Sequence, residues 1–93
     1  MALKTTVYNT SDYLDSEEAI VAYLQLAFEE GDAADIRAAL SNVARARGMT
    51  GLSKETGLAR EALYKALDKD GNPTLDTLLA VTRALGVKLS VAA

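Results

Sequence analysis

Between Met49 and Asp68 the chain reads MTGLSKETGLAREALYKALD, and the glycine in its middle restricts what the surrounding residues can become. Gly57 stands where one short helix must stop and the backbone must pass through a tight, left-handed conformation that residues with a Cβ resist. Leu52, Leu58, Leu63 and Ala66 then fall on the inward side of two successive helices. Ser53 faces the crossing point and is small enough to let them approach at a steep angle. Two short helices meeting at a sharp turn is the pattern of a helix-turn-helix, assigned here to residues 49–68.

The outward positions at the start of the second of these helices are Ala59, Arg60, Glu61, Tyr64 and Lys65. The N-terminal part of a recognition helix is where base edges are read. Arg60 is the best candidate reader, since an arginine bonds bidentately to guanine in the major groove. Lys65, Lys54 and the Thr50 hydroxyl are better suited to holding phosphates. Ala59 occupies a position that favours a capping hydroxyl, whose loss costs about 1 kcal/mol. The competing reading is a plain helical hairpin with a solvated polar face; the spacing favours the motif.

A chain of 93 residues makes one domain with little stability to spare, so a homodimer is expected. Cysteine and histidine are both absent, which removes disulfides, the common zinc sites, the thiol nucleophile and the usual general base. An enzyme is therefore the least favoured class, and no metal or cofactor is expected. No apolar run reaches the roughly 18 residues of a membrane span, and the N-terminus lacks a signal-peptide layout, so the expectation is a cytoplasmic protein without a membrane partner.

The net charge of −3 argues superficially against nucleic acid, but its distribution matters more. Up to Asp32 the only basic side chain is Lys4, against Asp12, Asp15, Glu17, Glu18, Glu29, Glu30 and Asp32. Beyond it, Arg37, Arg45, Arg47, Lys54, Arg60, Lys65, Lys69, Arg83 and Lys88 outnumber the acids. Such asymmetry can offer one face to phosphate and another to something cationic, or simply solvate both.

The remaining segments read as scaffold. Residues 3–13 carry threonine, valine and tyrosine without helical period and suggest an extended arm or edge strand. Asp15 with Glu18 looks like a capping arrangement for an acidic helix reaching Glu30 and ended by Gly31, with Ile20, Tyr23, Leu24, Ala27 and Phe28 on one stripe. Asp32 caps a second helix with Ile36, Ala39, Leu40, Val43 and Ala44 inward, closed by Gly48 after Arg45 and Arg47. Those two arginines either meet phosphate or merely complement the helix C-terminus. Lys69-Asp70-Gly71-Asn72-Pro73 forms a loop in which Gly71 supplies the permissive backbone, and Thr74 caps a last helix with Leu75, Leu78, Leu79, Thr82 and Leu85 inward and Gly86 at its end. The tail from Val87 to Val91 alternates apolar and polar residues, predicting a short strand within 87–93 that pairs with the arm, a second subunit or another protein.

The stretches ArgAlaArgGlyMet from Arg45, GluThrGly from Glu55, ArgGluAlaLeuTyrLysAlaLeu from Arg60 and AspGlyAsnProThrLeuAspThrLeu from Asp70 resemble the HigA-like addiction-module antidote proteins. The resemblance runs over nearly the whole chain. It departs at Ala59, where that family tends to have a capping serine, and at Leu75, where phenylalanine is common. Periodicity gives an all-α, five-helix domain spanning 1–93, with the arm and acidic helix in 1–32, and the resemblance implies that its helix-turn-helix is lambda-repressor-like. The resemblance also implies a bacterial antitoxin that neutralises a RelE/ParE-type ribonuclease toxin and represses its own operon; the expected dimer would read an inverted-repeat operator. The cationic toxin implied by this resemblance would meet the acidic end, with Tyr13, Leu14, Glu17 and Glu18 as contacts. A free-standing prophage-type transcriptional regulator without a toxin is the alternative.

Overall fold

A computed structural model describes residues 16–93, and its helices follow in the order α1 (Glu17–Glu30), α2 (Ala33–Arg47), α3 (Met49–Thr56), α4 (Arg60–Ala66) and α5 (Leu75–Ala84). The expected arm, together with Tyr13 and Leu14, lies outside the described residues.

The helix α1 begins one residue later than Asp15 and Glu18 suggested. Ser16 is its cap, accepting the Ala19 N–H at 3.1 Å, and Glu17 and Glu18 fill the first turn where the helix dipole favours acids. Serine and aspartate are both good caps, so adjacent candidates leave a boundary ambiguous by one residue. At the other end Gly31 turns left-handed, with φ 77°, and Asp32 opens α2 by accepting the Ala34 N–H at 2.9 Å. The two helices pack as a hairpin, joining Ile20 and Leu24 to Ala39, Leu40, Val43 and Ala44 in the core. Tyr23 is half-buried and its hydroxyl accepts from the Asn42 side chain at 2.8 Å, so the polar tip has a partner inside the seam.

Met49, Leu52, Leu63, Leu67, Val81 and Leu85 complete the same core, with Leu58 and Leu78 packed against its edge. On α5 the inward stripe is Leu78, Val81, Thr82 and Leu85, at the three- and four-residue spacing of one helix face. Buried Thr82 satisfies its hydroxyl by donating to the Leu78 carbonyl at 3.0 Å. Leu75 does not join them. It is the first residue of α5, directly after the Thr74 cap and the loop, and it remains 66% exposed.

The loop glycine also differs from expectation. Gly71 has no positive φ. Its role is space: a Cβ there would collide with the Ala66 carbonyl oxygen and stand 2.6 Å from that of Lys65.

The expected strand is not formed, and no strand occurs among the described residues. Gly86, at φ 80°, ends α5 in a paired-bond termination: its N–H reaches the Arg83 carbonyl at 3.0 Å, and the Val87 N–H reaches that of Thr82 at 2.9 Å. Val87 is thus consumed by the helix cap and packs against the core. The residues beyond it have the alternation of a strand but no ladder, and a strand is defined by its partner.

Candidate nucleic-acid interface

The turn between α3 and α4 is Gly57-Leu58-Ala59, and its geometry follows from its side chains. Gly57 adopts φ 76° and ψ 7°, the left-handed conformation expected of it, and its N–H bonds to the Ser53 carbonyl at 2.9 Å. The Ser53 hydroxyl donates to the Leu58 carbonyl across the turn. Thr56 donates its hydroxyl to the Leu52 carbonyl at 2.8 Å and accepts the Leu58 N–H at 3.2 Å. Ser53 therefore does more than permit close approach; with Thr56 it satisfies backbone groups that a three-residue turn would otherwise leave unpaired.

The second helix is short, seven residues, and Leu63 is the buried residue within it. With Leu63 turned inward, Arg60, Glu61, Tyr64 and Lys65 are all exposed, as are Ala59, Lys54 and Thr50. Ala59 has extended backbone and makes no side-chain cap bond to α4. Ala59→Ser is accordingly expected to raise the unfolding free energy by about 1 kcal/mol, read from the shift of a urea unfolding curve. A shift below a few tenths would mean that the α4 N–H groups are already satisfied.

Two basic side chains converge on Tyr64. Its ring centroid lies 5.8 Å from the Arg60 guanidinium carbon, one turn back on α4, and 5.9 Å from that of Arg45 in the last turn of α2. Arg45 was legible only as a basic residue ahead of the turn, since nothing local reveals which aromatic it will meet. Arg47, two residues on, behaves differently. It donates to the Leu85 carbonyl at 3.2 Å and the Ala84 carbonyl at 3.5 Å, closing the end of α5 instead of reaching outward. Neither expectation for that residue described this partner: the carbonyls it meets end α5, not its own helix α2. Arg37 likewise donates to the Lys69 carbonyl at 2.9 Å, tying α2 to the loop that leaves α4.

At the acidic end, Glu17 and Glu18 stand exposed in the first turn of α1. The Glu17 carboxylate lies over Gly86, 3.1 Å from where a Cβ would project, so the start of α1 and the end of α5 adjoin. Among the described residues no helix is long and apolar enough to cross a membrane, and no group of three acidic side chains is placed to hold a metal ion.

Comparison with known proteins gives this arrangement a context. A protein of Haemophilus influenzae, described only as uncharacterized, is 39% identical over 84 residues, covering 90% of this chain and 87% of that one. No solved structure matches. The model of one family, described as "Probable addiction module antidote protein", matches residues 4–93. That match spans nearly the whole chain, and the chain belongs to the family of probable addiction module antidote proteins.

Proposed function

We propose that this chain is the antitoxin of a bacterial type II toxin–antitoxin module. It neutralises a RelE/ParE-type ribonuclease toxin by direct binding, and as a cytoplasmic homodimer it represses its own operon at an inverted repeat. An antidote family implies a toxin partner. The observation that carries the DNA half is the exposed group of Arg60, Glu61, Tyr64 and Lys65 on the short helix that follows the Gly57 turn, with only Leu63 of that helix turned fully inward. One such helix covers too few base pairs for useful selectivity, and two-fold proteins place a pair of them about one DNA turn apart.

The test of this half is binding to the DNA upstream of the protein's own gene. Arg60→Ala is expected to cost about 1 to 3 kcal/mol of operator affinity and to relax specificity. Lys54→Ala and Lys65→Ala should instead weaken binding to all sequences alike. Operator affinity and specificity left intact by Arg60→Ala would place the reading register elsewhere.

The toxin half rests on charge. A ribonuclease that grips RNA is cationic, and Glu17, Glu18, Glu29 and Glu30 are exposed at the two ends of α1. Opposite charge speeds encounter, while apolar anchors supply most of the lasting affinity. Replacing these four glutamates by lysine is expected to slow association with the toxin, to be sought as a small basic protein encoded beside this gene, most strongly at low salt. Operator binding should survive unchanged or improve. Unaltered association rates for a folded variant would reduce the acids to solubilising groups, and failure of the two proteins to co-purify would favour a regulator without a toxin.

A further inference from the structure

Two positive side chains from different helices share one aromatic ring at the surface. The ring of Tyr64 is 40% exposed, and both Arg45 and Arg60 are exposed beside it. Each guanidinium carbon stands within about 6 Å of the ring centroid, the range in which the negative face of an aromatic attracts a cation. The ring thereby joins a positive side chain of α2 to one of α4. A planar guanidinium is well matched to phosphate, and Arg45, which has no base-reading position on α4, is free to take that role beside Arg60. Arg47, on the same turn of α2, directs its donors to the end of α5, so the division of labour between the two arginines is visible in their partners.

We propose that Tyr64 is a positioning residue that joins Arg45 to the reading surface, with Arg45 gripping a DNA backbone phosphate beside the base pair that Arg60 reads. The proposal rests on the DNA-reading role argued above and adds a residue and a division of tasks to it. Arg60 reads sequence; Arg45, carried on a separate helix, contributes affinity without sequence preference; the Tyr64 ring fixes their spacing. The attraction uses the face of the ring, so phenylalanine preserves it and leucine removes it.

The unmodified protein is used to enrich duplexes from a random-sequence pool, and the enriched duplex and a scrambled duplex of equal length then serve as probes across a range of salt. Arg45→Ala is expected to weaken both probes by a similar factor, on the order of tenfold near physiological salt. It should also reduce the slope of log affinity against log salt by about 0.9, the contribution of one phosphate contact on duplex DNA. Tyr64→Leu should reproduce that loss of slope, and Tyr64→Phe should retain the parental slope. A slope unchanged by Arg45→Ala on a duplex the unmodified protein binds would overturn the phosphate contact. Loss of slope in Arg45→Ala with none in Tyr64→Leu would overturn the positioning role. Failure of the unmodified protein to enrich any duplex would instead remove the DNA-reading function itself.

Discussion

Leu63→Ala is expected to lower the unfolding free energy by about 2 to 5 kcal/mol, the range for truncating a fully buried leucine when the surroundings relax only partly. Leu63 is 0% exposed and is the buried anchor within the seven residues of α4. A helix of that length has no stability of its own, so it exists because its apolar side chains are packed. A domain of this kind has only about 5 to 15 kcal/mol in total, and the variant therefore approaches the unfolding threshold. Urea denaturation gives the number directly. Leu75→Ala is the matched control, since that leucine is largely exposed and its loss should stay within about 0.5 kcal/mol. Similar small losses for both variants would show that α4 is not seated on the core through Leu63.

Gly71→Ala should cost about 1 to 3 kcal/mol by forcing atoms into occupied space. The atoms a new Cβ would meet are the carbonyl oxygens of Lys65 and Ala66, which belong to the backbone of α4 and cannot rotate aside. Gly31 offers the contrast. A Cβ there meets nothing within 4 Å, and the difficulty is only its φ of 77°. Asparagine tolerates the left-handed region better than alanine does. Gly31→Asn is thus expected to be milder than Gly31→Ala, whereas Gly71→Asn should be no milder than Gly71→Ala. Thermal unfolding of the four variants checks this, and rescue by asparagine at residue 71 would refute the packing account.

These two glycines illustrate what could be read from the chain alone. Gly57 and Gly31 were identifiable because a positive φ is a local demand that a single residue answers. Gly71 owes its identity to a carbonyl five residues earlier that curls back over it, and no local pattern announces that approach. Periodicity located the stripes of α1 and α2, where many turns repeat the same phase. On α5 the stripe was placed with Leu75 included and Val81 omitted. Leu67, one position beyond the last residue of α4, was likewise left out of the core, because a buried residue outside a helix has no period to belong to. The alternation after Val87 is genuine, but a period of two specifies only which side chains share a face; it supplies no neighbouring chain to bond with. At the candidate site, exposure of Arg60, Tyr64 and Lys65 followed from the phase of Leu63, whereas the meeting of Arg45 with Tyr64 depends on how two separate helices cross.

Two arginines of α2 bear on the order in which the fold is made as well as on its shape. Arg37 and Arg47 bond to carbonyls 32 and 38 residues further along the chain, whereas the α1–α2 hairpin and the Gly57 turn are closed by neighbours. Contacts across long spans are made only after the intervening chain has been gathered in, so these clips are expected on the late side of the folding barrier. Bonds absent from the transition state leave the folding rate nearly untouched and act on the rate of unfolding. Arg37 and Arg47 are therefore expected to act as latches: alanine at either position should speed unfolding more than it slows folding, as a denaturant chevron would show.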